Sequence, residues 1–134
     1  MIIQQIPQNF VNQIWESVRE YFEAALQYSH GDYTLDQIRM FLSQGQWILL
    51  VAVEDGMIHG AASVSFINYP NDRVAFITCI GGRLISNRDT FKQMGEIFKA
   101  HGATKIQGMA RPSIARLWKR YGFEERTMLV ETKL

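Results

Sequence analysis

The sequence predicts a single mixed α/β domain over residues 1–134, with a largely antiparallel sheet and helices on both faces. Helical and strand patterns follow one another in the order β-α-α-β-β-β-α-β-α-β. Asp55-Gly56, between two apolar runs, is a strong hairpin signal. The length of 134 residues, with 47% hydrophobic and 20% charged residues, is typical of one globular domain with a real core.

The N-terminal third predicts a short strand and two helices. Residues 1–6 are mostly apolar and predict the first strand. Residues 9–28 predict an amphipathic helix, because apolar side chains recur every three or four positions. These are Phe10, Ile14, Val18, Phe22 and Ala25. Thr34, followed by Gln37, forms the capping-box pattern that opens a second helix, and Gly45 ends it.

The centre of the chain predicts three consecutive strands. Residues 47–54 are rich in aliphatic side chains, and residues 57–67 return from the Asp55-Gly56 turn. Ser63 and Ser65 alternate with apolar neighbours, so we expect both serines to face outward. A third strand spans residues 73–80 and ends in paired glycines, a pattern that predicts either a bulge or a close approach of the backbone to something else.

The C-terminal third predicts helix, strand, helix and strand. One face of the first helix carries Phe91, Met94, Ile97 and Phe98. Residues 105–109 predict a strand, and Pro112 suits the first position of the next helix. Its packing face carries Ile114, Leu117 and Tyr121. Gly122 predicts a left-handed exit, and a last strand is expected from about Thr127 to the C-terminus.

Charge is unevenly distributed although the net value is +1. Residues 1–55 carry a net charge of −5 and residues 56–134 a net charge of +6. The C-terminal part therefore favours an anionic partner, although a polarised but merely solvated surface explains the pattern equally well.

Several functional classes find no support in the residues. Cys79 is the single cysteine, which excludes an internal disulfide, and its apolar strand predicts a small core residue. The three histidines have no metal-site spacing, so no metal is expected. Without a membrane-spanning run or signal-peptide pattern, we expect a cytoplasmic protein with no membrane partner.

The chain resembles the GNAT superfamily, the Gcn5-related N-acetyltransferases, over nearly its whole length. The resemblance rests on the element order, the glycine-marked third hairpin strand, the helix ending in His101-Gly102-Ala103, and the strand-helix-Tyr-Gly-Phe pattern of residues 104–134. It implies that acetyl-CoA would lie in a V-shaped opening between the strands at residues 73–80 and 105–109. It also implies that the pantetheine arm pairs with the free backbone of the first of these strands, near its bulge.

The resemblance also implies a set of cofactor-binding residues. The phosphate loop of the family corresponds to residues 81–90, and the expected contacts are Ile80, Gly81, Gly82, Arg83 and Arg88. The glycines stand at the start of this loop and not at its helix end, and Asp89 places a negative charge beside the phosphates. A plain capped helix, with Ser86 or Asn87 as N-cap, explains the same residues.

Neither catalytic role has a well-matched residue. The family places an acidic tyrosine four residues before the glycine of the Gly-Phe turn, and here that residue is Trp118. An indole N–H donates hydrogen bonds but does not supply a proton at useful pKa. Tyr121 is a weak candidate for the acid, since its helical position points elsewhere. The strand at residues 74–80 contains no Asp or Glu to act as a base.

Three functional hypotheses follow. The chain resembles the degenerate GNAT-like proteins of tailed bacteriophages, which favours a phage or prophage protein with a decayed site. Such a protein would act in the virion or its assembly through a phage or host protein partner, in the host cytoplasm or the virion. The alternative is an active acetyl-CoA-dependent N-acetyltransferase with a divergent loop. Nucleic-acid binding through the cluster of basic residues at 111–126 is the least favoured, because no recognition motif is present.

Overall fold

The computed structural model describes residues 1–134, which form five strands and four α-helices. The strands are β1 (Ile2–Ile6), β2 (Ile48–Glu54), β3 (Met57–Asn68), β4 (Arg73–Gly82) and β5 (Lys105–Gly108). The helices are α1 (Val11–Leu26), α2 (Leu35–Ser43), α3 (Arg88–Ala100) and α4 (Pro112–Lys119), and a 3₁₀ turn (Gln8–Phe10) precedes α1. The predicted mixed architecture is thereby confirmed.

The five strands form one sheet in their sequence order, β1-β2-β3-β4-β5. The pairs β1–β2, β2–β3 and β3–β4 are antiparallel. β5 is parallel to β4, because α3 carries the chain back across the sheet before β5 begins. β4 is thus the strand at which the sheet changes from antiparallel to parallel.

The predicted hairpin between β2 and β3 is confirmed. Asp55 and Gly56 have φ values of +54° and +74°, so both central residues adopt the left-handed conformation that a tight type I′ turn requires. Thr34 opens α2 through a complete capping box with Gln37, also as predicted. Local residue chemistry therefore sets these two boundaries.

Helices cover both faces of the sheet. On one face α1 and α2 pack against β2, β3 and β4, and the stacked rings of Trp15 and Phe22 lie in this layer. On the other face α3 and α4 pack through Met94, Phe98 and Trp118. The expectation that Ser63 faces outward is wrong, since its side chain is fully buried. The reason is that β3 is the middle strand and is covered on both sides.

The predicted last strand is absent. Residues 124–134 form no helix or strand and make no backbone–backbone hydrogen bond. Local strand propensity cannot form a strand without a neighbouring edge to pair with. None of the helices has the length and apolar character that a membrane span requires.

Candidate functional site

The sheet splits open between β4 and β5. Residues Val74–Ile77 of β4 pair with Lys105–Gly108, and there the ladder stops. β4 continues to Gly82 without a neighbour on that side. The strands border a large open cleft of about 2220 Å³, whose wall includes residues 76–82 of β4 and residues 105–108 of β5. Unpaired backbone groups of residues 78–82 are therefore presented to the cleft.

A β-bulge marks the point at which the strands separate. Ser63 of β3 pairs with Cys79, whereas the next residue, Val64, pairs with Ile77. Thr78 is consequently the extra residue of β4. A bulge bends its strand and increases the local twist. Because β5 stops pairing at Ile77, the bulge accounts for the divergence of β4 from β5.

Two hydroxyl groups hold this bulge. The Oγ1 of Thr78 donates to the carbonyl oxygen of Ser63 at 2.9 Å and lies 2.7 Å from the Ser63 Oγ. Ser63 is fully buried, so its hydroxyl needs a partner inside the protein. Thr78 also lines the cleft. Local sequence does not reveal this pair, because only the register between β3 and β4 brings the two residues together.

The paired glycines at the end of β4 have a packing role. A Cβ placed on Gly81 would lie 2.1 Å from the carbonyl oxygen of Tyr21, in α1. Gly82 has a φ of +70° and is equally crowded, by the carbonyl oxygen of His59 and the ring of Tyr21. Of the two sequence-based alternatives, the close approach of another backbone is the one observed, and the bulge lies instead at Thr78.

The expected cofactor residues divide into two groups. Ile80, Gly81 and Gly82 line the cleft. Arg83 lies just beyond the end of β4 and is not part of the cleft wall. Its backbone N–H donates to the His59 carbonyl at 2.8 Å, and its guanidinium lies 3.2 Å from the His59 Nδ1. Arg88 is an exposed residue at the start of α3 and is not part of the cleft wall. The structure therefore brings three of the five residues together.

The first turn of α3 is closed by its own side chains. Asn87 is the N-cap, and its Oδ1 accepts from the Thr90 backbone N–H at 2.9 Å. The Thr90 hydroxyl accepts in turn from the backbone N–H groups of Ser86 and Asn87, both at 3.1 Å. This is the capped helix expected as the alternative to a phosphate loop, with Asn87 as the cap. An anion at this helix end would compete with bonds that are already made.

The position of the family's acidic tyrosine is occupied by a packing residue. Trp118 is only 6% exposed. Its ring lies against Gly108, where a Cβ would meet it at 3.2 Å, and its centroid is 5.1 Å from that of Phe123. Tyr121 lines the cleft, and its ring stacks on Phe91 with centroids 5.5 Å apart. The position that corresponds to the expected acid therefore carries no ionisable group, and Tyr121, just beyond α4, is the tyrosine of this segment that lines the cleft.

Two contacts at the cleft wall join residues that are distant in the sequence. The guanidinium of Arg111, the N-cap residue of α4, lies 3.9 Å from the ring centroid of Tyr28, beyond the end of α1. At the paired end of the two strands, hydrogen bonds from Lys105 and then Thr104 lower the pKa of Asp72. These contacts tie together segments far apart in the sequence, so no local pattern reveals them.

Cys79 is confirmed as a core residue. Burial raises the pKa of its thiol from 9.0 to about 11, which leaves about a hundredfold less thiolate at neutral pH. Because a thiolate of higher pKa is also more nucleophilic, and because the buried side chain is poorly accessible, we expect the folded protein to react with Ellman's reagent at least about tenfold more slowly than the urea-unfolded chain. A folded-state rate close to the unfolded rate would show that the α1 layer does not seal this strand.

No group of three His, Cys, Asp or Glu side chains is placed to hold a metal ion.

Comparison with known proteins gives a fold and no sequence relative. No protein-family model matches the sequence, and curated protein sequences provide no match. Among solved structures, an aminoglycoside acetyltransferase, meta-AAC0020, from an uncultured soil metagenomic sample, in complex with sisomicin, superposes with a TM-score of 0.71 at 14% identity, over 98% of this chain and 95% of that one.

Two further neighbours carry the cofactor or its thiol form. A predicted acetyltransferase with acetyl-CoA from Clostridium acetobutylicum has a TM-score of 0.66 at 16% identity, over 98% of this chain and 94% of that one. Aminoglycoside N-acetyltransferase AAC(6')-Iy in complex with CoA has a TM-score of 0.68 at 16% identity, over 98% and 93% of the two chains. The chain described here therefore has the fold of the GNAT acetyltransferases.

Proposed function

We propose that this protein binds acetyl-CoA, or CoA itself, in the cleft between β4 and β5. The observation that carries the proposal is the unpaired backbone edge of residues 78–82, which faces an open cleft directly beyond the Thr78 bulge. The pantetheine arm carries amide groups that can pair with such an edge in the way an added strand does. The cofactor complexes of two structural neighbours support the same ligand.

The phosphate end of the ligand would be held weakly. The capping box of Asn87 and Thr90 already uses backbone N–H groups that a phosphate would need. Asp89 adds a negative charge, and Arg83 is directed to His59. Arg88 is left as the exposed cation closest in sequence to this turn. We therefore propose that affinity comes mainly from the pantetheine arm and only secondarily from the phosphates.

We further propose that catalysis has decayed. Transfer requires a proton to leave the attacking amine and a proton to reach the departing thiolate. Trp118 cannot donate a proton, Tyr121 does not stand at the position that the resemblance assigns to the acid, and the β4 wall offers no carboxylate. These positions favour a protein that binds without catalysing. The resemblance to degenerate phage proteins leads us to propose a binding or assembly protein of a phage or prophage, acting through a phage or host protein. An active N-acetyltransferase with a divergent loop is the alternative.

A matched pair of substitutions tests the binding site. Thr78→Val removes the hydroxyl that holds the bulge, whereas Thr104→Val makes the same chemical change at the paired end of the strands, where Thr104 bonds Asp72. Isothermal titration with acetyl-CoA should show binding to the wild type, at least about tenfold weaker binding to Thr78→Val, and unchanged binding to Thr104→Val. Thermal melting should show both variants folded.

The outcomes separate binding from catalysis. No heat from wild-type protein up to millimolar acetyl-CoA would overturn the proposed ligand. Equal affinity in the two variants would show that the bulge is not part of the site. Release of free CoA thiol in the presence of a panel of primary amines would establish the active alternative, and binding without release would support the decayed site.

A further inference from the structure

The cleft between β4 and β5 is bordered by helices from both faces of the sheet. On one face its wall includes Phe91 of α3 and Trp118 of α4. On the other face it includes Tyr28 and Tyr33, from the link between α1 and α2. A ligand that lies along β4 with its phosphates near residues 81–90 has its opposite end near Thr78, where the two strands separate. The acyl group of bound acetyl-CoA would therefore lie at the narrow end of the cleft.

Helix α1 leads toward this narrow end. The Tyr21 carbonyl packs on Gly81, and the Phe22 carbonyl oxygen lies 4.0 Å from the Cys79 Sγ. Successive residues of α1 thus lie beside successively earlier residues of β4, and the helix ends at Leu26. Tyr28, just beyond that end, is consequently placed beside the point at which β4 and β5 separate.

A cation–π contact joins the α1 side of the cleft to the β5 side. The guanidinium carbon of Arg111 lies 3.9 Å from the centroid of the Tyr28 ring, and both residues line the cleft. Arg111 follows β5 and is the N-cap residue of α4, but its side chain makes no capping hydrogen bond. Because β4 and β5 are unpaired beyond Ile77 and Gly108, this contact bridges two strands that no ladder joins there.

The bridge is built to open and close without a change of fold. Tyr28 is 61% exposed, and Arg111 is also an exposed residue. A cation–π contact between exposed side chains favours its closed state by about two- to fivefold. Rotamer changes of exposed side chains take only picoseconds to nanoseconds. The bridge is therefore closed for most of the time and opens frequently.

We propose that Arg111 and Tyr28 form a gate at the α1 side of the cleft, which shields the acyl end of bound acetyl-CoA. This inference rests on the proposed ligand. In the closed gate the guanidinium and the ring separate the thioester carbon from nucleophiles on that side, and an acceptor must part them to reach it. In a protein without an evident acid or base, the closed gate prolongs the lifetime of the bound thioester.

Hydroxylamine measures access to the thioester without any catalysis by the protein. Its nitrogen attacks the acyl carbon, so acetohydroxamate forms and the thiol of CoA is released. With all acetyl-CoA bound, Tyr28→Leu should release thiol about threefold faster than the wild type, and Arg111→Ala should do the same. Tyr28→Phe keeps the aromatic ring and should keep the slow rate. Arg116→Ala removes the same charge from α4 outside the cleft wall and should also keep it.

Nuclear magnetic resonance of the ligand-free protein tests the contact itself. The ring current of Tyr28 should shift the Arg111 side-chain protons upfield in the wild type and in Tyr28→Phe, and the shift should disappear in Tyr28→Leu. Unshifted protons in the wild type, or equal thiol release from Tyr28→Leu and the wild type, would overturn the gate. A wild type that binds no acetyl-CoA would overturn the proposed ligand and with it the shielded acyl end, and titration distinguishes this result from failure of the gate alone.

Discussion

Replacing Gly81 with alanine is expected to lower the free energy of unfolding by about 3 kcal/mol, because the new methyl group would meet main-chain atoms that cannot rotate away. The ideal Cβ lies 2.1 Å from the Tyr21 carbonyl oxygen and 2.7 Å from its carbonyl carbon. Relief requires α1 to move away from the end of β4. Urea unfolding followed by circular dichroism measures the loss.

Gly95→Ala is the matched control for this substitution. Gly95 lies inside α3, and a Cβ there meets no atom within 4 Å. Alanine forms helix more readily than glycine by about 1 kcal/mol, so this variant should be more stable than the wild type. If Gly81→Ala were as stable as Gly95→Ala, the close packing of α1 on β4 would be refuted.

Truncating Trp118 to alanine should cost about 3–5 kcal/mol of unfolding free energy, the range for large aromatic side chains removed from a core. Trp118 is 6% exposed and fills the space between β5 and α4, against Gly108 and Phe123. Its loss leaves a cavity beside β5, the strand that forms one wall of the cleft. Denaturant titration gives the magnitude.

Trp118→Phe is the conservative comparison. It keeps an aromatic ring against Gly108, so we expect clearly less destabilisation than for alanine. A Trp118→Ala protein with wild-type stability would mean that the indole does not pack as described. The expected result assigns the position to structure.

Much of the fold could be predicted from local residue chemistry. Asp55-Gly56 gave the hairpin, Thr34 with Gln37 gave the start of α2, and Pro112 gave the start of α4. In each case a few neighbouring residues decide the backbone conformation. The two-sided helical cover followed from the element order.

What sequence could not predict depends on residues distant in the chain. The outward orientation expected for Ser63 failed because β3 is the central strand, which no alternation pattern reveals. The predicted last strand is not formed because Thr127 and the residues that follow it pair with none of the sheet's edges, and strand propensity alone does not decide such pairing. The residues predicted for the candidate site were likewise placed only in part on the cleft wall. Ile80 lies on the cleft wall, but Arg83 is taken up by a contact with His59 that only the folded register creates.

Hydrogen exchange at residues 78–82, with and without saturating acetyl-CoA, tests the central claim most directly. If the pantetheine arm pairs with the free edge of β4, amide exchange in this segment should slow when ligand is bound. Residues 74–77, already paired with β5, should change little. Binding accompanied by protection elsewhere, with residues 78–82 exchanging as in the free protein, would contradict the account.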